Sequence, residues 1–197
     1  MILKKYCFLL IFFLSLYAGE TKGQSSAGKQ ITAKDLLLFE KHQDSLKSFA
    51  DAIVNAPEPN QRFRADSSFI RMLVRALKIP NSFYFPFDSL LTISKLYAPD
   101  SSFRIFTWQI KKDVYVFLQR GAIQMRTPDG SLKLIPLHDV SMFSKKPQDS
   151  IRTANNWIGA IYYRILQEKA NGKNVYTLLG FDDFTVSSNK KWMEVLT

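Results

Sequence analysis

The sequence predicts an α+β protein: an N-terminal helical pair packed on an antiparallel β-meander of about six strands. Three observations carry this. Apolar residues between Thr32 and Pro80 recur at helical spacing, interrupted once by the proline loop "NAPEPN". After Pro80 the chain breaks into short apolar runs separated by "PDSS", "KKD", "TPDG" and "NGKN", where proline, aspartate and glycine supply turn geometry. Finally, the central runs are apolar on both alternating sides, as in a sheet covered on both faces.

The elements follow in order. Residues 1–23 have the form of a secretory signal: Lys4 and Lys5, then an apolar run from Tyr6 to Ala18. That run, about 13 residues, falls short of the roughly 20 that span a bilayer. Thr21 and Gly23 stand at cleavage spacing, predicting Gln24 as the new terminus, whereas cleavage after Ala18 would put Leu16 where a small residue is preferred. No transmembrane span remains after cleavage, and the protein is expected in the periplasm or outside the cell. Cys7, the single cysteine, precedes most of the apolar run, where a lipid anchor would need it to follow. The mature chain then has no thiol, disulfide or cysteine metal site, so packing alone must hold it.

Residues 24–31, "QSSAGKQI", read as a flexible linker. "TAKD" at Thr32 is a helix-start signal, predicting a helix over 33–55. A second helical pattern runs over 61–79 and stops at Pro80. Residues 32–80 form the helical pair and 81–197 the β domain. Residues 88–97 do not resolve into helix or strand by pattern. The strands are expected in "SFRIFTWQI", "DVYVFLQRGAIQM", "SLKLIPL", "NWIGAIYYRIL", "NVYTLLGF" and "KWMEVLT". "APDSSFRIF" and "TPDGSLKLI" look alike, which shared hairpin grammar explains better than duplication. In "NWIGAIYYRIL", Trp157, Ile161 and Tyr163 face one way and Ile158, Tyr162 and Leu166 the other. One helical pair covers one face. The second cover is expected from a partner, a ligand cavity or sequence beyond Thr197, leaving an incomplete sheet with exposed aromatics. The alternative is a domain whose helices and 81–98 segment cover both faces.

"PDSSFRIFTWQI", "GAIQMR", "LKLIPLHDVS", "NWIGAIYYRIL" and "YTLLGFD" together resemble a family of uncharacterised exported bacterial proteins. The resemblance runs from about Leu36 to the end. It implies a signal peptide, a helical segment and a β-rich domain, with this chain similar to the N-terminal portion of longer members. It implies no catalytic residues.

The chain carries 27 Lys+Arg against 17 Asp+Glu, a net charge of +10. Such a balance favours anionic partners. For an exported protein these are an acidic envelope component or partner protein rather than nucleic acid. Four candidate sets stand out. His138, Asp139 and Ser141 are the nearest approach to hydrolase components, though no Gly-x-Ser-x-Gly elbow exposes a nucleophile. Trp108, Tyr115, Trp157, Tyr162 and Tyr163, among Gln109, Gln124, Arg126 and Arg164, could line a sugar or peptide groove or simply pack in the core. Arg64, Arg71, Arg75 and Lys78 share one face of the second helix, as a solvated face or an anion-docking stripe. Asp182 and Asp183 lack calcium-loop spacing and read as a turn. With two histidines, His42 and His138, no metal or other cofactor is expected. The favoured function is non-catalytic binding at the cell envelope; a secreted hydrolase around His138 and Asp139 is the alternative.

Overall fold

A computed structural model describes residues 30–113, 116–144, 151–185 and 188–197, without the side chains of 184 and 185. The segment expected to be a signal sequence, most of the expected linker, Val114 and Tyr115 lie outside the described residues. Helix α1 spans Ala33–Asn55, with the Thr32 hydroxyl oxygen accepting from the Asp35 amide at 3.1 Å. Its buried stripe is Phe39, Leu46, Ala50 and Ile53. Helix α2 spans Pro59–Leu77. Its first position is Pro59, whose fixed φ suits a helix start, and Glu58 and Gln61 close a capping box there. Arg62, buried, donates to the carbonyls of Ala56 and Pro57 at 2.7 and 2.8 Å and to that of Lys111 at 2.8 Å. It thereby fixes the turn between the helices to the sheet.

The segment after Pro80 passes through left-handed Asn81 and Phe87 and lays Phe85 flat on Phe39 at 4.5 Å. It then enters β1, Ser94–Tyr97, followed by β2 (Phe103–Lys111), β3 (Phe117–Met125) and β4 (Lys133–Leu137). These four form an antiparallel sheet in sequence order. β5 (Ile161–Ala170), β6 (Lys173–Thr185) and β7 (Ser188–Leu196) form a second, also antiparallel.

β2 is the middle of the molecule. Its even positions, Phe106, Trp108 and Ile110, join Phe39, Phe69, Leu73 and Phe87 in one core with the helices. Its odd positions, Phe103 and Ile105, join Trp157, Ile158, Tyr162 and Leu178 in another. The order is helices, first sheet, second sheet. Each large side chain fully buried this way contributes about 1.5–3 kcal/mol.

The α+β class with its N-terminal helical pair is therefore the observed fold, with one difference: seven strands divide into two sheets instead of six in one. The cause lies in residues 138–160. There, among the described residues, strand pairing shrinks to one isolated parallel bridge, Asp139 with Trp157, and Gly159 at φ 75° turns the chain before β5 begins. The second half of "NWIGAIYYRIL" is strand; the first half is not. The expected exposed aromatics are not at Trp157 or Tyr162, which are 4% and 2% exposed. Their cover is the first sheet, so a second layer comes from within the chain. β1, inside the stretch that pattern left unassigned, ties the layers together: the Ser94 hydroxyl donates to the Tyr162 carbonyl at 2.5 Å.

Candidate functional site

The outward face of α2 is built by elimination of negative charge. Asp66 is the helix's one carboxylate, and it is turned inward. Its oxygens accept from the Trp108 indole at 2.8 Å and from Arg120 at 3.3 Å. Outside remain Arg64, Arg71, Arg75 and, at the C-terminal cap, Lys78, all exposed as their spacing predicts. None of the four has an ion pair among the described residues. Arg64 and Arg71 border an open depression of about 670 Å³ with Asn60, Phe63, Ser67 and Ser68. Arg71 donates to the Ser68 hydroxyl at 3.1 Å. Cations, hydroxyls and an amide converge on one surface, a composition suited to anionic oxygen.

The residues proposed for hydrolysis do not assemble. The two carboxylate oxygens of Asp139 accept from the backbone amides of Ser141 at 2.8 Å and Gln119 at 3.1 Å. No hydrogen bond joins Asp139 to the His138 side chain, which is exposed. Gly159 is part of this arrangement: a Cβ there would stand 2.6 Å from the Asp139 carboxylate. Asp139 is thus a turn cap, holding the crossover between the sheets. A triad needs its acid on the imidazole, and here the acid is occupied.

Nor do the aromatic residues share a groove. Trp108 lies in the helix-side core, whereas Trp157 and Tyr162 lie in the core between the sheets. Tyr163 is exposed, set apart by the bulge between Tyr162 and Arg164. Arg126 is exposed at the end of β3, and Tyr115 lies outside the described residues. Gln124 is buried and accepts from Arg104 at 2.8 Å.

Two polar networks escaped the sequence reading. Arg104 is fully buried and, among the described residues, no carboxylate pairs with it. Its guanidinium instead donates to Gln124, to the carbonyls of Ser82 and Phe85, and to the Tyr97 hydroxyl, all within 2.6–2.8 Å. The rings of Phe83, Phe87, Tyr97 and Phe106 surround it at 4.6–5.8 Å, a cation–π setting. Burial lowers its pKa to about 10, so the charge persists at neutral pH. In the second network the Trp157 indole donates to the Tyr162 hydroxyl at 2.7 Å, which donates to Glu194 at 2.8 Å. Burial pushes both Tyr162 and Glu194 up, and Glu194 raises Tyr162 further. An arginine in an apolar strand carries no mark in the sequence that it will find four acceptors.

Asp182 is buried and accepts from the Gln119 amide at 2.5 Å; Asp183 accepts from Gln109 at 2.9 Å. They join the two sheets rather than forming a free turn. Burial raises the Asp182 pKa. Among the described residues no three His, Cys, Asp or Glu side chains converge on a metal position, and no helix is long and apolar enough to cross a membrane. Comparison with protein-family models, curated proteins and solved structures found no match.

Proposed function

We propose that this is an exported binding protein of the cell envelope, and that the basic face of α2 is its docking surface for an acidic envelope component. The observation that carries the proposal is the charge segregation of α2. Its single acid is spent inside on Trp108 and Arg120, while Arg64, Arg71, Arg75 and Lys78 stand outside without ion pairs. α1 offers the contrast within the same layer, because Lys47 there pairs with Asp51 at 3.1 Å. A helix selected only for solubility needs no such asymmetry. The signal-like N-terminus supports an exported setting, and the chain's net charge of +10 supports anionic partners. Binding needs no nucleophile, and the occupied carboxylate of Asp139 leaves His138 without an orienting acid.

The test is retention of the exported protein on vesicles containing anionic lipid and on immobilised acidic glycan, compared with neutral controls. Retention should fall as salt rises, because screening shortens to about 8 Å near physiological ionic strength. Arg71→Glu with Arg75→Glu should abolish it at moderate salt. Retention of that double variant equal to the parent would make the face an ordinary solvated one.

A further inference from the structure

The two sheets have four outer edges, and three of them are blunted. Unpaired strand edges recruit other strands unless they are short, interrupted, bulged or covered. β1 has only four residues. β4 carries Pro136, opposite Ala122, and proline lacks the amide that a new strand would use. The edge of β5 is bulged between Tyr162 and Arg164 and tied at Tyr162, whose amide donates to Thr107 and whose carbonyl accepts from Ser94. β7 differs from all three. It has nine residues and no proline, keeps its register with β6 from Leu196 to Lys190 before a bulge at its start, and among the described residues its main chain pairs with β6 alone.

The face beside this edge is apolar and open. Met193 is 74% and Val195 65% exposed, and Tyr163 and Leu166 of β5 are exposed on the same side. Around Met193 its charge is positive, while Glu168 stands on the same face farther along β5. Lys191 stands over the rings of Tyr163 and Phe181 at 5.6 and 5.3 Å. Arg164 is exposed beside Leu179, which pairs with Met193. Glu194, the carboxylate of β7, points the other way onto Tyr162.

We propose that β7 receives an extended acidic segment of a partner polypeptide as a fourth strand of the second sheet. Main-chain bonds to the edge supply the attachment, and alternate side chains supply the choice of partner. Apolar residues of the incoming strand lie against Met193 and Val195, and its carboxylates meet Lys191 and Arg164. The same cations disfavour a basic strand, since like charges on opposed strands are unfavourable. A second copy of this chain, with its own net charge of +10, is disfavoured for that reason.

A labelled synthetic peptide of alternating Glu and Val is the probe, titrated into the full exported chain and followed by anisotropy and by amide hydrogen exchange. Saturable binding is expected, with new protection confined to residues 188–196. Lys191→Glu should weaken it at least tenfold, and a Lys–Val peptide should not bind. Met193→Glu, at a side chain already in solvent, is the second variant if Lys191→Glu melts early, and it should weaken binding similarly. The titration is run in the Arg71→Glu, Arg75→Glu background, which removes the α2 face's own attraction for acidic chains, so that the binding that remains is read at this edge. The proposal is overturned by absence of saturable binding, by protection elsewhere, by equal binding of the Lys–Val peptide, or by self-association of the protein through residues 188–196.

Discussion

β2 and β7 are both nine-residue strands, yet their surroundings are opposite. In β2 seven of nine positions are buried, on both faces. In β7 none is buried: exposed and half-buried positions alternate. The difference is one of place in the layers. β2 lies between the helices and the second sheet, so either parity of its side chains meets a core. Among the described residues β7 lies at the edge of the second sheet and has one neighbour. Apolar content alone does not say whether a strand is interior. Both strands carry large side chains, and only the number of layers above and below separates Phe106 from Met193.

Substitutions along this gradient should lose effect in order. Phe106→Ala, in the helix-side core, is expected to cost about 3–5 kcal/mol, measured by urea unfolding; a cost below 1 kcal/mol would show that the core relaxes around the gap. Tyr162→Phe strips a hydroxyl that serves both Trp157 and Glu194 and should cost about 1–3 kcal/mol, the range for stranding buried polar partners. Glu194→Gln gives a smaller change with a pH signature. Burial raises the Glu194 pKa above its ordinary 4.5, so the folded state holds that proton more tightly than the unfolded one. The native residue's contribution is then most favourable below pH 4.5 and is lost as pH rises through the folded-state value. The variant, whose amide oxygen still accepts from Tyr162, should gain on the parent as pH goes from 4 to 7. A constant difference across that range would contradict the sign. Last, Met193→Ser should change unfolding free energy by no more than about 0.5 kcal/mol, while making the strand-adding peptide bind more weakly.

Much of the scaffold was legible in the residues. Thr32 and the proline loop bounded α1 at the observed Ala33–Asn55, because capping and proline act locally. The two look-alike turns are local too: Ser102 and Ser131 each donate amide and hydroxyl to the aspartate two residues before. Exposure of the α2 cations followed from spacing. What stayed hidden depends on distant partners. The two-faced burial expected of "NWIGAIYYRIL" does not occur: Trp157, Ile158 and Tyr162 share one core while Tyr163 and Leu166 are exposed, because the turn at Gly159 and the bulge after Tyr162 break the alternation, and nothing local states that one sheet will fold over another. Trp108 and Trp157 could not be assigned to different cores without knowing which parity of β2 faces the helices. Asp139 looked available because the amides that occupy it belong to Ser141 and to Gln119, a strand away.

The central place of β2 also has a consequence for the nascent chain. By residue 140 the ribosome has delivered both helices and the first sheet, enough for the Phe39–Phe106 core. The other side of β2, with Phe103 and Ile105, stays bare until Tyr162 and Leu178 emerge. At roughly 5–20 residues per second, that interval lasts about 2–8 s. A half-built sandwich with one greasy side is a substrate for chaperones and a seed for aggregates, and the chain must cross this stage or be held unfolded through it. A chain stopped after Val140 should therefore bind an apolar-surface dye strongly and sediment, whereas extension to Thr197 should reduce both; a soluble, dye-silent truncation would refute the order.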